Sequence, residues 1–217
     1  MNRRFTSFLS LLLVALFSLP AFAQLEELNM KAVSVGEPSE TLIPNTQWYL
    51  VYNKRQNGLK AGGYWRDTKG ESVCYMTNGT EEDVIKEGDL AKEKADILVR
   101  FLTTDTEGQY KIQFGTGNYM TKDLWTSAKE TEAQAYNVYT IGDNAGHFGI
   151  NKADMDGIVD NNGGGHTLAF WGTGAVENAG GNNDWSIYPV TLSDLSERDI
   201  LNAEISKRNA CSCLTNK

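Results

Sequence analysis

Residues 148–190 read FGINKADMDGIVDNNGGGHTLAFWGTGAVENAGGNNDWSIYPV. Within them, Phe148-Gly-Ile-Asn151, Gly157-Ile-Val-Asp160, Thr167-Leu-Ala-Phe-Trp171 and Trp185-Ser-Ile-Tyr-Pro189 are short runs rich in β-branched and aromatic residues. Gly, Asn and Asp clusters separate them, and these residues bend the chain at little cost. Runs of this length bounded by turn signals predict strands rather than helices.

The same order recurs twice upstream. Alternating openings appear at Tyr49-Leu-Val-Tyr-Asn53 and Tyr110-Lys-Ile-Gln-Phe114, matching Phe148-Gly-Ile-Asn151. Follow-up segments appear at Asn57-Gly-Leu-Lys60 and Gly117-Asn-Tyr-Met120, and closings at Ile97-Leu-Val-Arg-Phe101 and Tyr136-Asn-Val-Tyr139. The chain therefore predicts strands at 48–53, 98–102, 109–114, 136–141, 147–151, 167–171 and 185–190. Charged residues 81–95 lengthen the first unit as a short surface helix or insertion. Three repeated units imply a symmetric all-β assembly. They suit a β-trefoil of three pseudo-repeats over residues 45–191, in which a six-stranded barrel closed by three hairpins leaves few open edges. A two-sheet sandwich is the alternative.

The flanks differ in texture. Arg3 and Arg4, the apolar run from Phe8 to Leu19, Pro20 and Ala21-Phe22-Ala23 have the three zones of a secretory signal peptide, residues 1–23, cleaved between Ala23 and Gln24. The apolar run is short for a membrane span. The expected location is secreted or periplasmic, with no membrane insertion after cleavage. Residues 24–44, rich in Glu and holding Pro38 and Pro44, read as a flexible leader. Residues 192–217 read as a C-terminal helix and tail, with Leu195, Ile200, Leu201 and Ile205 near helical spacing and Ser193 or Ser196 as cap.

Charge and composition narrow the function. The chain has 217 residues and a net charge of −8, and loss of the signal makes it two units more negative. Nucleic acid and anionic membrane, which demand a basic footprint, are therefore not expected partners. The three cysteines, Cys74, Cys211 and Cys213, allow at most one disulfide, and Cys211-x-Cys213 lacks the second pair that zinc requires. Asp154-x-Asp156-Gly157 has the middle of a calcium loop, but Lys152 and Gly163 occupy its end positions. His147 and His166 are the only histidines, 19 residues apart, and have no obvious Ser or Cys partner. No metal or other cofactor is expected, nor an enzyme.

Gly157-Ile-Val-Asp-Asn-Asn162, then Leu168-Ala-Phe-Trp171, then Asn182-Asn-Asp-Trp185 resembles a ricin-type β-trefoil carbohydrate-binding repeat. In that family an apolar residue and Asp precede a strand ending in an aromatic, followed by Asn-Gln-x-Trp. The resemblance implies carbohydrate binding by Asp160, Trp171 and Asn182, with Asn183 in the place of the usual Gln and Trp185 in the core. A saccharide needs one flat aromatic for its C–H face and polar groups for its hydroxyls. The expected function is that of a secreted, non-catalytic module recognising a glycan through the third unit. The alternative is a scaffold or protein-interaction trefoil whose sugar sites have decayed. An adjoining catalytic domain or partner protein is the neighbour the resemblance implies.

Overall fold

A computed structural model describes residues 28–54, 63–77, 85–162, 167–196, 198–199 and 205. The expected signal peptide, residues 1–23, lies outside these residues, as do Asn57–Lys60, Cys211 and Cys213. So do Gly163–His166. Among the described residues no helix is long and apolar enough to cross a membrane.

The described chain is all-β. Its strands are β1 (Met30–Val35), β2 (Trp48–Asn53), β3 (Gly63–Arg66), β4 (Tyr75–Met76), β5 (Val99–Thr103), β6 (Gln109–Phe114) and β7 (Tyr119–Met120). They continue as β8 (Thr126–Ser127), β9 (Ala135–Ile141), β10 (Asn144–Lys152), β11 (Ile158–Asn162), β12 (Thr167–Trp171) and β13 (Ser186–Asp194). Helical structure among the described residues includes two single 3₁₀ turns, Ala91–Lys94 and Glu130–Glu132.

Antiparallel pairing closes the sheet into a barrel-like circuit. β2 pairs β5, β5 pairs β6, β6 pairs β9 and β9 pairs β10. The circuit returns from β10 through β11, β12, β4 and β3 to β2. A shorter return runs across the Phe148↔Trp185 bridge to β13, which pairs β2 along Trp48–Tyr52. That inner circuit holds six strands. Three hairpins, β3–β4, β7–β8 and β11–β12, grow from β2, β6 and β10.

Alternation explains the core. Tyr49 and Val51, Val99 and Phe101, Ile112 and Phe114, Tyr136 and Val138, and Phe148 and Ile150 point inward from successive circuit strands, as a period of two demands. Trp65 and Trp185 meet edge to face there, their rings 5.0 Å apart at 75°. The Trp185 indole N–H donates to the Val159 carbonyl at 3.0 Å. The hairpins are tied together at buried residues: the Leu168 amide donates to the Cys74 carbonyl and the Cys74 amide to that of Leu124, both at 2.8 Å. Burial pushes the Cys74 thiol well above its ordinary pKa. A second apolar cluster, including Leu28, Trp48, Leu50, Ile97 and Leu98, packs residues 85–98 and β1 against the outside of β2.

All seven expected strands are present, with ends shifted by a few residues. The flanks differ from expectation. Met30–Val35, read as part of a flexible leader, form β1 and pair with β13. Ala32 is buried against the outer cluster, so apolar packing overrides the polar surroundings. Leu192 to Asp194, expected to open a helix, instead finish β13, because β1 supplies them with ladder partners. The rest of that expected helix lies mostly outside the described residues. Ser196 and Asp199 do exchange the reciprocal hydrogen bonds of a capping box, and Lys31 Nζ lies 2.9 Å from the Asp199 carboxylate.

Candidate functional site

The third hairpin has the longest ladder of the three. β11 and β12 pair Ile158↔Trp171, Val159↔Phe170, Asp160↔Ala169, Asn161↔Leu168 and Asn162↔Thr167. Val159, Asn161 and Leu168 are buried, and Phe170 packs against the core. Ile158, Asp160, Asn162, Thr167, Ala169 and Trp171 therefore share the opposite face, where Ile158 is covered by Val176. Trp171 is 76% exposed. Asp160 and Trp171 are diagonal neighbours on that face, a relation that places Cα atoms about 7–8 Å apart. Ala169, beside Trp171 on β12, and Ile158, opposite Trp171 on β11, complete that four-residue patch.

The chain leaves β12 immediately after Trp171, which keeps the indole clear of the sheet. Gly172 (φ 72°) and Gly174 (φ 81°) make the turn in a region that L side chains seldom occupy. Val176 then comes back to bury itself against Ile158 and Ile141. This return is hydrogen-bonded at both ends. Asn151 Nδ2 donates to the Gly174 carbonyl, while the Val176 amide donates to the Tyr139 hydroxyl at 2.8 Å. Burial raises the Tyr139 hydroxyl above its ordinary pKa, and it donates to Asn151 Oδ1.

Asn182 and Asn183 lie on a loop that runs along the side of β11. The Asn161 amide donates to the Asn182 carbonyl at 2.9 Å. Buried Asn53 donates through Nδ2 to the carbonyls of Gly181, Asn182 and Asp184. Asn183 Oδ1 lies so close to Gly181 that a Cβ there would come within 2.8 Å of it, so this carboxamide folds back on its own loop. The buried Asp184 carboxylate accepts from the Gly180 amide and has His147 Nδ1 at 2.9 Å from both oxygens.

Asp160 and Trp171 thus occupy one face, and the Asn182 loop is bonded to the neighbouring residue of β11. Trp185, fully buried, belongs to the core. Sequence reasoning gave no role in the site to Asn53, His147 or Asp184, which shape the loop. Asp184, between Asn183 and Trp185, was the one signal available. Among the described residues, no group of three or more His, Cys, Asp or Glu is arranged to hold a metal.

No family model matches this chain, and no curated protein matches it. Among solved structures it is similar to SeviL bound to asialo-GM1 saccharide, at 17% identity over 65% of this chain and 97% of that one, with a TM-score of 0.44. It is also similar to the Polyporus squamosus lectin bound to the human-type influenza-binding epitope Neu5Aca2-6Galb1-4GlcNAc. That likeness is 13% identical over 68% of this chain and 50% of the other, with a TM-score of 0.44. At that TM-score neither likeness carries an argument for this chain.

Proposed function

We propose that the chain is a secreted or periplasmic β-trefoil that binds a glycan through its third unit and performs no catalysis. The observation that carries the reading is the exposed Trp171 indole on the same outward face as the Asp160 carboxylate. An indole held in water at 76% exposure forgoes the burial that a tryptophan would gain in a core. Stacking on the C–H face of a sugar recovers part of that, and a carboxylate accepts the hydroxyl protons beside it. The Asn182 loop, held by Asn53 and Asp184 and bonded to β11 at Asn161, supports the reading as a pre-ordered backbone beside the strand that carries Asp160. The trefoil part rests on the six-strand circuit, the three hairpins and their junction at Cys74, Leu124 and Leu168.

Binding to a glycan array, followed by calorimetry on the best ligand, tests the site. Trp171→Ala and Asp160→Ala are each expected to weaken binding about tenfold or more, the scale of a central contact residue. A folded wild type that binds no glycan sinks the reading. The first hairpin favours a second reading, a protein-interaction trefoil. Its outward pair is Arg66 opposite Tyr75, with the guanidinium 5.8 Å from the ring centroid, so that position offers no bare aromatic beside an acid.

A further inference from the structure

Trp171 has an exposed counterpart in the second unit. Trp125 is 42% exposed and follows the turn between β7 and β8. Sequence spacing gave no reason to join it to Asp123, two residues before it. The fold supplies one. Leu124 adopts φ 62°, a left-handed conformation that costs a leucine free energy, and is held there because its side chain is buried. Its amide donates to the Thr121 carbonyl at 3.0 Å, and the Thr121 amide donates to the Trp125 carbonyl at 2.8 Å. On the other side Thr126 is buried and donates through its hydroxyl to Asp67. Trp125 is therefore an outward indole on a backbone fixed at both flanks, and among the described residues no aromatic ring stacks on it.

Beside it lies a cleft of about 470 Å³, bordered by Thr121, Lys122, Asp123, Ser127 and Glu132. This is the size range of small-ligand sites. Its charges identify the class of ligand. Glu132 is already satisfied by Ser127 Oγ at 2.7 Å and Lys129 Nζ at 2.8 Å, which hold its carboxyl below the usual range. Asp123 makes no hydrogen bond or ion pair among the described residues, and Lys122 stands next to it. One acceptor and one donor of opposite charge, beside a flat ring, suit a neutral polyhydroxylated ligand better than a cation, which would call for an uncompensated acidic cage.

We propose that this cleft is a second saccharide site, with Trp125 as the stacking platform and Asp123 as the hydroxyl acceptor. It rests on the saccharide reading of the third unit and extends it to a cleft of different construction. The test follows the two indole N–H signals separately by NMR on the full mature chain, assigned through Trp125→Phe and Trp171→Phe. Galactose, mannose, N-acetylglucosamine and lactose are titrated in turn, with tetramethylammonium as a cation control. The expected result is a saturable shift of the Trp125 signal with one of the sugars, weakened about tenfold by Asp123→Asn, the scale for a hydrogen bond to a charged group. A Trp125 signal that no sugar moves while the Trp171 signal responds overturns the second site and leaves the third-unit reading standing. A response at Trp125 alone supports the second site and removes the third-unit one. Movement with tetramethylammonium but with none of the sugars overturns the proposal in favour of a cation site, and silence of both indoles overturns both sites.

Discussion

The first and third hairpins each place a tryptophan and an aspartate on one face, and the two faces point in opposite directions. In the first, Trp65 and Asp67 stand two residues apart and both are buried. Trp65 meets Trp185 in the core. Asp67 accepts hydrogen bonds from the hydroxyls of Thr116 and Thr126, the carboxamide of Asn118 and the Lys69 amide, binding the first unit to the second. In the third, Asp160 and Trp171 lie on the outward face. The residue types are the same and their tasks differ, because in a strand a shift of one position exchanges core for solvent. An aromatic and an acid come to share an outward face only where register turns both away from the core.

The sharpest way to break this contrast is to truncate each tryptophan. Trp65→Ala should cost ~3–5 kcal/mol in chemical unfolding, as expected for a large core side chain. Trp171→Ala should stay within about 0.5 kcal/mol of the parent, as surface changes do. Equal losses would mean that Trp171 supports the fold and is no ligand platform. The aspartates should divide in the same direction with a smaller gap. Asp67→Ala orphans buried donors and should lower stability by about 2–3 kcal/mol in the same unfolding experiment, while Asp160→Ala should lower it far less.

The smallest effect concerns the clasp between β1 and the chain after β13. Hydrogen bonds from Ser196, and then the Lys31 ammonium, hold the Asp199 carboxyl down at about 2 from an ordinary 3.8. A depressed acid contributes its support above the ordinary value and loses it as pH falls toward the lowered one. Amide protection in β1, taken relative to the intrinsic exchange rate at each pH, should therefore fall between about pH 4 and pH 2. In Lys31→Ala the Asp199 titration, followed by carboxyl NMR, should move upward. A midpoint unchanged by that substitution would show that the ion pair contributes nothing measurable.

Legibility in the sequence followed element length. β2, β6, β10, β12 and β13 have enough residues to display alternation, so 48–53, 109–114 and 167–171 could be read almost to the residue. β4, β7 and β8 hold two residues each, too few to have a period, and their pairing arises from hairpin geometry alone. β1 alternates only weakly in a Glu- and Pro-rich setting. Its strand character comes from the partner it finds in β13, which lies at the other end of the described barrel. At the candidate site, the motif order pointed to Asp160 and Trp171. The buried supports Asn53 and Asp184 became visible only through their hydrogen bonds.

By itself, then, the sequence determined that residues 148–190 and their two echoes would be short strands between turns, since β-branched and aromatic runs cut by Gly and Asn admit little else. It also determined that an aspartate, a tryptophan and an amide would follow one another through the third unit. The motif order placed Trp185 in the core and Trp171 at the surface, but only the tertiary structure decided that Trp65 is core. Side-chain direction in a strand depends on register, and register is set by partners far away in the chain. Trp65 and Trp171 are chemically identical, and the ladders on which they sit make one a keystone and the other a platform.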